Sequence, residues 1–227
     1  MVVLAAALIY KDQKRLLSAV VVGKIICEKT MDIFKIISTR RTIRRFLNKK
    51  VDKDLLEKMV QLGALAPSRV NMQAWEFIII DDDKLKQEIF KNILWGVKNP
   101  INKVFSDLQY SPAAYIAILV NAKIRNEGYE YEIGACAENI MLCAWSLGVG
   151  SVWLHALNRE KIISLLQIPT EKIFDSLIGL GYPAHTSKIA KFSNDNYLYN
   201  IDESLNLIVP KRDIKTLTYH NIYGHFK

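Results

Sequence analysis

The stretch Tyr131–Leu147 limits what this chain can become more than any other. Ile133, Cys136, Ile140, Met141, Cys143, Ala144, Trp145 and Leu147 leave few polar positions on any side of a helix. A helix that is apolar nearly all round must be covered on more than one side. In a chain of 227 residues, that predicts a helix serving both a core and a subunit interface. Gly148–Gly150 ends it.

The elements around it follow from periodicity. Met31–Ser38 carries a short helical face, and Asp52 stands as an N-cap for a helix from Lys53 to about Leu65, ended by Pro67. Trp75–Ile80 reads as a short apolar strand, and Asp81–Asp83 as the start of a helix over Lys84–Leu94. Ala113–Val120 is β-rich and almost wholly apolar, which predicts a strand covered on both faces. Ser151–Leu157 reads as a strand, Asn158 as the cap of a helix to about Leu166, and Phe174–Leu180 as a central strand closed by Gly181-Tyr182-Pro183. The tail Ile189–Val209 is polar and weakly patterned, with no clear element. Helices interleaved with buried strands, without regular βαβ spacing, predict an α+β fold.

Composition narrows the chemistry. Cys27, Cys136 and Cys143 are too few for a disulfide framework, and with four histidines at unrelated spacings they form no metal motif. Cys136 and Cys143 lie on one helical face and read as small buried hydrophobes, fitting a reducing, cytoplasmic setting. The net charge is +8, of which residues 1–30 carry +3 and the remainder +5. In those first thirty residues the positive charge follows the apolar run Val2–Ile9, the reverse of a secretory signal. Neither of their apolar runs reaches the ~20 residues needed to cross a bilayer. They are expected to be an appendage to one domain over residues 31–227.

Two polar clusters carry the chemistry. In Arg40-Arg41-Thr42-Ile43-Arg44-Arg45-Phe46, guanidinium groups offer bidentate, charge-assisted bonds to phosphate, and the Thr42 hydroxyl adds a donor. The same run is open to reading as a solvated basic turn, a localisation signal or a nucleic-acid contact, although Ile43 and Phe46 look built into a core. In Ala66-Pro67-Ser68-Arg69-Val70-Asn71-Met72-Gln73-Ala74-Trp75, hydroxyl and amide groups suit the polar edge of a flat heterocycle. Ordinary turn chemistry is the alternative there.

In order along the chain, these clusters resemble the nitroreductase family of FMN enzymes. The resemblance rests on Arg40-Arg41-Thr42-Ile43-Arg44, on Pro67-Ser68 with Asn71 and Gln73 before an aromatic strand, and on Gly134–Met141 leading into Gly148-Val149-Gly150-Ser151-Val152-Trp153. Gly181-Tyr182-Pro183 and Lys211-Arg212 followed by His220-Asn221 complete it. It spans Met31 to about Gly224 and leaves residues 1–30 outside. Ala74 stands where the family usually has Pro, and His155-Ala156 depart from the small residues expected after the Trp153 strand.

The resemblance implies a central mixed β-sheet flanked by helices, in an interlocked homodimer with one FMN in each of two interfacial clefts. Arg40, Arg41, Thr42 and Arg44 would hold the phosphate and ribityl end, with Lys211 or Arg212 closing it from the tail. Pro67, Ser68, Arg69 and Asn71 would come from the other subunit, and Val152, Trp153 and Leu154 would lie along the flavin. NADH or NADPH would reduce the flavin, which would then reduce a nitroaromatic, a quinone or a similar small acceptor in the same cleft. The cofactor carries such chemistry, so no side chain is assigned as acid or base, and no metal is implied. Neither nucleic acid nor a membrane is expected as a partner. The alternatives are an FMN store or sensor, dehalogenation or ring dehydrogenation on the same fold, and, from another class, a basic nucleic-acid module.

Overall fold

The computed structural model describes residues 32–96, 99–192 and 197–224. Expectations for residues 1–30 therefore lie outside the described residues. The chain divides between Thr39 and Arg40 into two units. The first contributes helix α1 (Ile33–Thr39), whose Ile33, Phe34 and Ile37 are exposed. Everything described below belongs to the second unit.

Its frame is a four-stranded sheet of β1 (Trp75–Ile80), β2 (Ala114–Asn121), β3 (Gly150–Leu154) and β4 (Lys172–Gly181), ordered β1-β2-β4-β3. β2 is buried along all but its last residue, as its unbroken apolar run requires. Its alternate side chains enter two cores. Ala114, Ile116, Ile118 and Val120 face a core that includes residues of helix α2 (Lys53–Gly63) and of helix α4 (Glu130–Ser146). Tyr115, Ala117 and Leu119 face a second, which takes in residues of α3 (Asp83–Lys91) and α5 (Arg159–Leu165). Helices thus cover both faces of the sheet, the layered solution an α+β chain adopts to bury both faces.

Helix starts follow the sequence. Asp82 caps α3 by accepting from the Leu85 amide at 2.8 Å, and Asn158 caps α5 by accepting from the Lys161 amide. Asp52 sits at the N-cap of α2, but its carbonyl rather than its carboxylate accepts, from the Leu55 and Leu56 amides. In α4, Cys136 and Cys143 are both buried, and burial pushes the Cys136 thiol up to about 12, so it stays protonated at neutral pH.

Four expectations need correction. The four strands pair only antiparallel, so this sheet is not mixed; a lone parallel bridge, Thr42 to Ser151, lies on its β3 edge. The strand after α4 stops at Leu154, because the chain turns away to pair Leu157 with Ile93. The same crossing ends α3 at Lys91, since the Leu94 amide donates to the Ala156 carbonyl instead of continuing the helix. Finally, the tail is ordered into a second sheet of β5 (Ser187–Lys191), β6 (Asn200–Ile201) and β7 (Leu207–Lys211), with β5 and β7 parallel. Exposed lysines and Pro210 hide the alternation that would mark those strands in the sequence. Among the described residues, no helix is long and apolar enough to cross a membrane.

Candidate functional site

The arginine run is fixed to the free edge of β3 by two hydrophobic anchors. Ile43 donates its amide to the Ser151 carbonyl at 2.9 Å, and Ile43 and Phe46 are 1% and 0% exposed. Gly150 and Gly181, paired across β3 and β4, make room for them. A Cβ on Gly150 would lie 2.7 Å from Ile43 Cγ1, and one on Gly181 would lie 2.9 Å from Phe46 Cδ1. The chain therefore lies flat on the sheet edge only because two facing positions carry no side chain.

With those anchors buried, the polar side chains of the run are half-buried at its surface. Arg40 Nε stands 3.3 Å from Glu138 Oε1 of α4. Arg41 folds back onto the Arg40 carbonyl. Burial, and then the neighbouring Arg40 charge, lower the Arg41 pKa, so an anion placed here would relieve both costs. Arg44 lies 4.7 Å from the Tyr199 ring centre and 6.0 Å from that of Phe105, and burial lowers its pKa in turn. Arg45 lies 3.7 Å from the ring centre of Tyr110.

His185 holds this arrangement from below. Its Nε2 accepts from the Arg44 amide at 2.9 Å, so the proton sits on Nδ1 and is donated to the Thr186 carbonyl at 2.9 Å. The ring stacks on Phe105 at 6.0 Å, and burial lowers its pKa, keeping the imidazole neutral. Phe105, Tyr199, Tyr110 and His185 carry no motif that singles them out in the sequence. The proximity of His185 to the Gly181-Tyr182-Pro183 turn is the one signal that bears on it.

The second cluster is an exposed loop with unusual backbone. Val70, Asn71 and Gln73 have φ of 52°, 58° and 48°. Left-handed backbone is strained for a β-branched residue such as Val70. Ser68 Oγ accepts from the Gln73 amide at 3.1 Å, and the Arg69 amide donates to Glu132 Oε1 at 2.8 Å. Pro67, Ser68 and Arg69 line a cavity of about 340 Å³ with Arg125, Tyr131 and Glu132. Asn71 is exposed beside them.

On β3, Val152 and Leu154 point into the second core and are buried, while Trp153 points to the opposite face. Trp153 Nε1 donates to Ser176 Oγ at 2.8 Å, and its ring meets that of His155 at 4.8 Å. A ligand along this strand would therefore meet backbone at Val152 and Leu154, and a side chain only at Trp153. Lys211 and Arg212, at the end of β7, line a different cavity of about 490 Å³ with Lys191, Phe192, Asp213 and Thr216. Within one chain, the Pro67–Arg69 loop and the Lys211-Arg212 tail thus open into separate cavities, and the arginine run follows the β3 edge.

A helix-covered antiparallel sheet, with a cation-rich segment docked on its edge through facing glycines, defines an α+β protein with a cation-rich rim. Residues 37–182 match the model of the nitroreductase family, and the chain belongs to that family. A protein of Archaeoglobus fulgidus bearing the provisional name NADH dehydrogenase/NAD(P)H nitroreductase is 33% identical over 161 residues, covering 67% of this chain and 86% of its own. A nitroreductase family protein from Clostridium novyi NT has a structure similar at a TM-score of 0.59 with 28% identity, over 67% of this chain and 87% of that one. A structure of a provisionally assigned nitroreductase from Desulfovibrio desulfuricans in complex with FMN has a TM-score of 0.58. At 21% identity, over 68% of this chain and 87% of that one, its likeness concerns the fold alone.

Proposed function

We propose that the protein is an FMN-dependent oxidoreductase that draws on NADH or NADPH to reduce a small organic acceptor, such as a nitroaromatic or a quinone. The observation that carries this reading is the placing of Arg40 and Arg41 side by side on one glycine-docked segment, where burial and the Arg40 charge depress Arg41. Cations held together at that cost suit a bound phosphate, which returns charge-assisted bonds to each. The donor chemistry therefore fits FMN. Family membership and the FMN bound in the Desulfovibrio relative point the same way.

In this reading Arg40, Arg41 and the Thr42 hydroxyl hold the phosphate and ribityl end, and Arg44 adds positive potential from beside Tyr199. Lys211 or Arg212 closes that end. Trp153, locked by Ser176, limits the site along β3, and Pro67, Ser68, Arg69 and Asn71 supply the polar groups for the ring edge. When bound, FMN supplies the two-electron chemistry, with donor and acceptor taking turns in one cleft. The protein works as a homodimer in the cytoplasm, with the loop contributed to the partner's site. Tyr131, 90% exposed on α4 and sharing a cavity with Pro67–Arg69, and Val70 (86%) and Leu65 (75%), which flank that stretch of chain, support an interface there.

The test begins with an absorbance spectrum of the purified protein, followed by anaerobic NADH and then NADPH. Flavin bands bleached by either donor are expected. Flavin that stays oxidised would leave an FMN store or sensor, and a colourless protein that refuses added FMN would overturn the assignment. The double variant Arg40→Ala/Arg212→Ala is expected to purify largely without flavin, each lost charge-assisted bond costing about 1.5–3 kcal/mol.

A further inference from the structure

We infer that Glu132, held by Arg125, is the positioning residue that keeps the Pro67–Gln73 loop in its ligand-binding shape. The inference rests on the function proposed above and adds to it a residue that acts through the Arg69 amide.

Glu132 lies in the first turn of α4, where a carboxylate is favoured by the helix dipole, yet its side chain is only 9% exposed. One oxygen, Oε1, takes two donors at once: Arg125 Nη1 at 2.7 Å and the Arg69 amide at 2.8 Å. Arg125 is itself held on both other nitrogens, giving Nε to the Glu127 carbonyl and Nη2 to the Gly128 carbonyl. The guanidinium is thus clamped on the turn before α4, and the carboxylate is clamped on the guanidinium. The other oxygen, Oε2, is buried with no hydrogen-bond partner.

Such a pair is a poor device for stability. Two charges lose hydration, one oxygen stays unpaired, and apolar residues of similar volume would cost less. What the pair does achieve is to fix the Arg69 amide at the point where the loop enters its strained turn. Immediately beyond that amide come Val70, Asn71 and Gln73, all with positive φ. On the far side, Ser68 Oγ receives the Gln73 amide. The Asn71 amide on the Ser68 carbonyl and the Met72 amide on the Arg69 carbonyl close this turn on itself, and Glu132 supplies the bond that ties its entry to α4.

The experiment compares three full-length proteins: wild type, Glu132→Ala, and the double variant Glu132→Ala/Arg125→Met. The single variant leaves an unpaired buried cation and is expected to be less stable. The double variant removes that cation and should recover much of the loss in thermal midpoint. A purely structural pair would then also recover flavin binding. Positioning makes the opposite prediction: in both variants the Arg69 amide exchanges its hydrogen about tenfold faster or more, and the FMN dissociation constant rises by a similar factor. Glu132→Gln, which keeps an acceptor for the Arg69 amide, should fall between these and wild type.

Recovery of FMN affinity in the double variant, or an Arg69 amide protected as in wild type, would overturn the inference. Faster exchange with unchanged FMN affinity would overturn it as well, since the loop would then be held for something other than flavin. A wild type that binds no FMN would instead sink the proposed function, and the exchange data would still decide whether Glu132 holds the loop.

Discussion

The Arg40–Phe46 segment and the Pro67–Gln73 loop carry similar polar side chains but are held in place by opposite means. The first is fixed by apolar burial: Ile43 and Phe46 are sunk in the second core against facing glycines, and its arginines are carried along. The second buries no large side chain between Pro67 and Gln73; local hydrogen bonds close it on itself, and the Arg69 amide ties it to Glu132 of α4, against strain in its middle. The difference teaches how a single chain can present a preset charge and an adaptable edge together. Core packing gives the charged segment the rigidity of the domain, whereas the loop can shift at the cost of one or two hydrogen bonds.

The largest break in that comparison comes from Phe46→Ala. Removing a fully buried aromatic side chain should cost about 3–5 kcal/mol of folding stability, and the loosened segment should lose flavin affinity along with it. Urea unfolding combined with FMN titration checks this; an unchanged affinity in the folded variant would mean that the arginines are not positioned by the core.

His185 sharpens the comparison through pH. Burial lowers its pKa, so the folded state prefers the neutral ring. Its contribution to stability is therefore present above the unfolded value of about 6.5 and is lost as the pH falls through the lower folded value. Protonation would also remove the acceptor for the Arg44 amide and set a third charge beside Arg44 and Arg45. Thermal midpoints measured across this range should fall on acidification in wild type and fall less in His185→Gln, whose amide oxygen can still accept from Arg44. Parallel curves for the two proteins would remove His185 from this role.

The smallest effect is expected in the loop. Val70→Gly relieves a left-handed β-branched residue, a gain of about 1–2 kcal/mol, and adds unfolded-chain entropy worth roughly 0.5–1 kcal/mol in the other direction. Within one chain the net change would be small and stabilising; in the proposed homodimer, where Val70 lies at the interface, the lost side-chain burial offsets that gain and the urea midpoint should stay near that of wild type. A clear rise in the midpoint would show that Val70 packs against nothing and would take this face out of the interface.

Several parts of this arrangement were legible in the chain itself. The twice-covered β2, the helix start at Asp81–Asp83, the cap at Asn158, and the buried Ile43 and Phe46 all follow from apolar periodicity and turn chemistry, which act over a few residues. The arginine run and the Pro-Ser loop stood out because unusual residues are concentrated there. The β5–β7 sheet did not, because its exposed lysines and Pro210 blur the period-two signal and a parallel pairing has no short turn to announce it. The mixed sheet that the family resemblance implies is not the one formed: β4 enters between β2 and β3, and all four strands pair antiparallel.

The sequence by itself determined the main helices and strands between Lys53 and Leu180, where positive charge is concentrated, and to which family the chain belongs. Only the tertiary structure decided what those charges rest on. Arg44 meets His185 across 141 positions, and Arg69 meets Glu132 across 63. Contacts at such separations leave no periodic trace, because they are made by the packing of whole elements and not by the local preferences of either residue.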